Sequence, residues 1–254
     1  MVNYLYIEAP FATFRTFTAG WYRPTATFLT PSAAYGLLLN IAGIELRLRE
    51  EEASHDGKTP ASLMRPNLPA VQLALGVPTF ALSGQGRQRE VSSDELFPRM
   101  QTMFQQLHNY PVGKSGQERA EECRGNKYNI TPVRREFLSD FRAVVAFRGN
   151  DVLAERVRAG LSGELDVNRY GVPFVGDNSF LIDRLNLLES VAPVCWFDRL
   201  SSESSEGIRD RTTRLTVQID RAELSKTKSA LFAPHQGAAS IVPPETAWVE
   251  MKSN

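Results

Sequence analysis

The chain lacks an excess of charge of either sign: 29 Lys and Arg are matched by 29 Asp and Glu over 254 residues. A protein coated with nucleic acid over its whole surface would be basic, so any such contact is confined to local patches. Zero net charge also gives little colloidal repulsion, which suits a subunit held inside an assembly. Cysteine is scarce. Cys123 and Cys195 lie far apart, match no metal or redox spacing, and read as free thiols. Histidine is scarce as well: His55, His108 and His235 fall at no mutual ligand spacing, so no metal is expected. No apolar run reaches about 18 residues, so no membrane span is expected. The opening Met-Val-Asn-Tyr lacks the basic start and apolar core of a secretory signal, which makes the cytoplasm the expected compartment. There is no Gly-x-Ser-x-Gly elbow, no cluster of acids, no internal repeat and no low-complexity tract. Gly113-Lys-Ser115 invites a phosphate-loop reading, but His108 stands where that motif needs its first glycine, and no strand leads into it. No cofactor is expected.

Hydrophobic residues make up 42% of the chain, enough for a sizeable core. Residues 3–9 alternate as a strand, with Leu5, Ile7 and Ala9 against Tyr4, Tyr6 and Glu8. Thr30-Pro31 starts a helix, and Tyr35, Leu38, Leu39, Ala42 and Leu46 extend it to about residue 47. Residues 48–69 form a charged, Pro-rich loop, and Val71, Leu73, Leu75 and Val77 alternate as a second strand that Pro78 ends. Ser92 or Ser93 caps a predicted helix carrying Leu96, Met100, Phe104 and Leu107. Residues 84–140 have little with which to form their own core and read as a projecting hairpin or arm. Arg142–Phe147 is a third strand, and Asn150 caps a helix striped by Leu153, Val157 and Leu161. Further strands are expected at 193–197, 215–219 and 247–251.

The order strand–helix–strand, insert, strand–helix–strand predicts an α+β fold: a ferredoxin-like or RNA-recognition-motif (RRM) βαββαβ core. The core and its thumb-like insertion at about 84–140 would fill residues 1–190, and 191–254 would add a small C-terminal β extension. In RNA-recognition modules of this topology one sheet face stacks bases.

Three stretches carry chemistry. In the first, Arg15, Trp21, Tyr22 and Arg23 lie among Phe11, Phe14 and Phe17, offering forks for phosphate and flat faces for bases. The bland alternative is a core loop with packed rings and solvated arginines. In the arm, Lys114, Arg124, Lys127, Tyr128, Arg134 and Arg135 interleave cations with a ring, as a single-strand binder needs, although Glu118, Glu121 and Glu122 dilute them. In the third, 160–176, glycines permit close backbone approach and Arg169 and Tyr170 add a charge and a ring.

Ala9–Phe17, the Pro31–Leu38 helix start, and the arm segments from Asn109 to Gly113 and from Lys127 to Glu136 resemble the Cas-five subunits of CRISPR surveillance complexes. The DevS-like branch of type I-B systems is the nearest group, and the likeness spans about residues 2–190. The resemblance implies a Cascade subunit that caps the 5′ handle of the CRISPR RNA (crRNA) in antiviral defence or RNA-guided DNA targeting. It implies a protruding thumb, contacts with the backbone subunit and the large subunit, and target DNA only indirectly. It would place the helix start near Ser32 and the 160–176 loop beside the handle. One branch of the family cuts repeat RNA without metal through a tyrosine, lysine and histidine. Here Lys127 and Tyr128 are adjacent but no histidine accompanies them, so the expectation is a binder without catalysis, with a repeat-cleaving ribonuclease as the alternative.

Overall fold

A computed structural model describes residues 1–16, 21–48, 64–65, 67–109, 129–200, 209–220 and 223–252. The expectations for the 48–69 loop and the arm tip therefore fall largely outside the described residues. The strands are β1 (Asn3–Ala12), β2 (Tyr22–Arg23), β3 (Val71–Pro78), β4 (Phe80–Leu82), β5 (Gln88–Glu90) and β6 (Arg99–Asn109). They continue as β7 (Asn129–Arg148), β8 (Arg184–Leu187), β9 (Val194–Leu200), β10 (Thr213–Gln218), β11 (Lys228–Pro234) and β12 (Val249–Met251). Two helices, α1 (Pro31–Ile41) and α2 (Asp151–Ser162), complete the described elements apart from short 3-10 turns.

All but β4 and β5 join one sheet, whose main path runs β10-β11-β9-β3-β7-β1-β8. Its centre, β3-β7-β1-β8, is antiparallel throughout. Alternation decides which side each strand buries. Leu5 and Ile7, Leu73 and Leu75, and Ala143, Val145 and Phe147 meet Leu38, Leu39 and Ile41 of α1 and Leu153 and Val157 of α2. The intervening residues Tyr6, Ala74, Val144 and Ala146 face the other way and pack with Phe80, Leu82, Val191 and Trp196.

That second face is not the open base-stacking surface that RNA-recognition modules of this topology present. It lies beneath the β4–β5 hairpin and the segments before β9 and β12, and Tyr6, Ala74, Val144 and Ala146 are wholly buried. The cover comes from residues distant in sequence, which local alternation does not reveal.

Thr30 Oγ1 accepts from Ala33 N at 3.2 Å and Pro31 follows it, so α1 starts as expected. It stops at Ile41 rather than near residue 47, because Gly43 takes a left-handed φ of 69° and turns the chain. Asn150 caps α2, accepting from Leu153 N at 2.9 Å. Gly160 lets the two helices touch: a Cβ there would lie 1.8 Å from Ile41 O.

The expected helix through Leu96, Met100, Phe104 and Leu107 is absent. A 3-10 turn (Ser93–Glu95) leads past Pro98 into β6, which pairs with β7 from Arg99↔Ser139 to Asn109↔Asn129. A spacing of four fits one face of a strand as well as of a helix, and Pro98 stops helical continuation. β7 is likewise far longer than the expected third strand. Its C-terminal half lies between β1 and β3 in the core, and its N-terminal half forms a ribbon with β6. At the junction Asp140 has φ 55°. There the buried positions are three apart on both strands, Ala9 then Ala12 and Phe141 then Leu138, while the pairing register is kept.

Candidate nucleic-acid interface

The root of the ribbon collects part of the expected site. β2 lies parallel against β7, with Tyr22 beside Arg134 and Arg23 beside Arg135, and Arg134 N donates to Trp21 O at 2.9 Å. Opposed residues of a ladder share a face, so Phe104/Arg134, Thr102/Glu136 and Met100/Leu138 line one side of the ribbon. The Arg134 guanidinium lies 5.6 Å from the Tyr22 ring centroid, a cation–π distance. Trp21 is 65% exposed and Phe104 75%.

Glu136 organises this corner, a role that its place at the end of the Lys127–Glu136 arm segment did not suggest. One carboxylate oxygen accepts from the Tyr22 hydroxyl and the other from Thr25 N at 3.1 Å. The hydrogen bond to Glu136 is the main reason that the Tyr22 phenol is raised above its ordinary 10.0. Thr25 in turn accepts from Phe14 N at 2.8 Å, and Ala26 N donates to Phe14 O at 2.8 Å. The loop entering α1 is thereby stitched to the end of β1 and to the ribbon. Arg15 is exposed, Arg23 half-buried, and neither side chain has an ion-pair partner among the described residues. Ser32 sits in the first turn of α1, its hydroxyl 3.2 Å from that of Thr30.

Arg135 is a different case. It is 6% exposed, its guanidinium bonds Asp177 at 2.5 Å and Gln105 at 3.2 Å, and it lies 5.4 Å from the Phe180 ring centroid. Burial alone would raise the Asp177 carboxyl. Hydrogen bonds from Ser179 and Arg135 outweigh burial and hold it below its usual value. Arg135 therefore anchors the ribbon to the 174–181 loop rather than facing solvent. The same loop is tied to β1 by Thr13 N donating to Val175 O at 3.1 Å, and Gly176 passes so close that a Cβ would meet Thr13 O at 1.5 Å.

Arg169 and Tyr170 are both exposed, but they sit by the far end of α1. Asn40 Nδ2 donates to Tyr170 O at 3.2 Å, and Arg47 stacks 4.1 Å from the Tyr170 ring centroid. No described hydrogen bond or ion pair joins them to Tyr22 or Arg134. Lys114, Arg124, Lys127 and Tyr128 lie outside the described residues.

A second polar cluster ties the C-terminal strands together. Asp198 of β9 is 4% exposed and accepts from Arg209 at 2.8 Å, Thr246 at 2.6 Å and, through Nδ1, His235 at 3.0 Å. Burial opposes ionisation of Asp198, but the three donors, Thr246 first, hold its carboxyl below the usual range. Among the described residues no three His, Cys, Asp or Glu side chains form a group that could hold a metal ion. No described helix is long and apolar enough to cross a membrane.

Fold and site together define an α+β protein with a large antiparallel sheet, few helices, and a paired-strand arm rooted among arginines and exposed rings. A family model described as "CRISPR-associated protein (Cas_Cas5)" matches residues 4–163, well over half of the chain, and the protein belongs to that family. No curated protein sequence matches it. One solved chain, described as "CRISPR RNA-guided surveillance complex", aligns over 97% of this chain and 96% of its own, with TM-score 0.51 and 12% identity. Another, "Crystal structure of Cas protein", aligns over 92% and 94%, with TM-score 0.44 and 13% identity. At 12% identity the first likeness is one of fold.

Proposed function

We propose that this chain is a non-catalytic subunit of a type I CRISPR surveillance complex, Cascade, that binds and caps the 5′ handle of the CRISPR RNA. In this reading β3-β7-β1-β8 with α1 and α2 is a ferredoxin-like, RRM-type core, and the β6–β7 ribbon is a thumb. The thumb would meet the backbone subunit, with the large subunit beside it, in a DevS-like type I-B assembly in the cytoplasm.

The observation that carries the reading is the ribbon root: Trp21, Tyr22 and Phe104 hold out rings, while Arg15, Arg23 and Arg134 have no acidic partner among the described residues. Such a corner suits a splayed single strand, with stacking worth about 1–3 kcal/mol per base and phosphate contacts that release counterions. Family membership supports the assignment to the complex. In this reading the RNA lies at the corner where β2 meets β7 and not across the sheet, a choice supported by the burial of the second sheet face.

The test is binding and cleavage in one tube: purified protein, labelled repeat RNA with its mature 5′ handle, and EDTA, over a salt series. Salt-sensitive binding without cutting is expected. A discrete metal-free cut would replace this reading with a ribonuclease, and the half-exposed His235 on Asp198 would then be the histidine to substitute. No binding with or without the backbone subunit would overturn the handle-capping role.

A further inference from the structure

A cavity of about 260 Å³ opens at the ribbon root, lined by Thr27, Phe97, Met100, Leu138, Arg211 and Thr212. Met100 and Leu138 are the opposed pair on the same ribbon face as Arg134 and Phe104. From Arg134 to Leu138 is two steps along one face, about 14 Å at 3.4 Å per residue. The cavity thus continues the surface that starts at Tyr22 and Trp21.

Its walls are of two kinds. Phe97 stands edge-on to Phe197, with ring planes at 88°, and the Arg211 guanidinium lies 4.3 Å from its ring centroid. The lining also carries hydroxyls: Thr27 Oγ1 donates to Thr213 Oγ1 at 2.7 Å, and Thr212 Oγ1 donates to Arg209 O at 2.6 Å. Arg211 holds a left-handed φ of 57°, a conformation that a non-glycine residue pays for, and such strain gathers at ligand clamps. The volume falls just below the roughly 300–1,000 Å³ of pockets for drug-sized molecules, so it suits one flat heterocycle and not two.

We infer that this cavity takes a single unstacked nucleobase of the bound RNA, stacked on the Arg211 guanidinium whose other face rests on Phe97, with the threonine hydroxyl oxygens accepting from its polar edge. The inference rests on the RNA-binding reading above and adds a subsite to it. Planar arginine and aromatic faces are the usual platforms for a base turned out of a single strand. An apolar protein side chain would take water from the Arg211 guanidinium without supplying an acceptor in its place, whereas a nucleotide brings acceptors with its ring.

Arg211→Gly removes the guanidinium and relieves the positive φ, so the variant keeps its fold. Phe97→Leu keeps apolar volume and removes the ring. The probe is a synthetic RNA with the mature 5′ handle whose nucleotides are replaced one at a time by abasic units, bound to the full chain together with its backbone subunit. One abasic position should weaken wild-type binding by about 5- to 150-fold, the loss of one stacked base. Both variants should lose a similar factor on intact RNA and lose almost nothing further on that abasic RNA, the signature of a shared contact. Equal additional losses on every abasic RNA would make Arg211 a plain phosphate contact and overturn the inference. Weakened joining of the protein subunits without RNA would give the cavity to a protein side chain, and also overturn it. A wild-type chain that binds no RNA at all overturns both this inference and the reading on which it rests.

Discussion

Arg134 and Arg135 are neighbours in sequence and face opposite ways from the ribbon. Arg134 is exposed over Tyr22, whereas Arg135 is buried against Asp177. Replacing both at once would confuse recognition with folding. Arg134→Ala alone should lower RNA affinity and flatten the salt slope by about 0.7, at unchanged melting temperature. Arg135→Ala leaves Asp177 charged and half-sealed, and should cost about 3 kcal/mol in urea unfolding. Asp198 makes the same kind of argument for the C-terminal strands. Its folded pKa lies below the ordinary 3.8, so its contribution is complete above that value and is lost as pH falls through the lower folded one. Asp198→Asn should cost about 3 kcal/mol at neutral pH and make the acid limb of the stability–pH curve, below about pH 4, shallower than in the wild type. Neither carboxylate stands out in the sequence, because partners lie 42 residues away for Asp177, and 37 and 48 away for two of those of Asp198.

Elements were legible where large apolar residues alternate with small or polar ones, or where a local signal marks an end. β1, β3 and both helix starts follow from alternation, Pro31 and the Asn150 cap. β6 was not, since its 100/104 spacing serves helix and strand alike. β7 was read only over its core half; toward the arm its burial pattern slips at Asp140, and Pro132 breaks the strand signal. Of the site, Trp21, Tyr22 and Arg134 were visible as types and the structure brings them together, but Glu136, Phe97 and Arg211 became visible only once distant strands met. The α1–α2 contact gives a prediction at this scale. Gly160→Ala drives a methyl group into the Ile41 carbonyl, so the helices must part. The expected loss is about 1–3 kcal/mol, the range for overpacking, despite alanine's better helix propensity. Chemical denaturation of the variant against wild type measures it.

At the scale of the whole molecule, both faces of the sheet centre are covered, so recognition is left to its ribbon, loops and edges. Exposed rings and methionines, Trp21, Met100, Met103, Phe104 and Tyr170, remain on a chain with no net charge. With a sequence pI of about 6.9, the isolated subunit should be least soluble near neutrality. Light scattering at fixed concentration should fall on moving from pH 7 to pH 8.5, and fall again when guide RNA is added at pH 7.

β7 has one further consequence. A single unbroken 20-residue strand serves as arm and as keel, flanked in the core by β1 and β3. A load on the arm is therefore not met by a flexible joint. It runs lengthwise into the middle of the sheet, where hydrogen bonds to both neighbours resist in parallel and must fail together. The arm behaves as the exposed end of a lever whose fulcrum is the fold, and whatever holds its tip also holds the body in a fixed orientation.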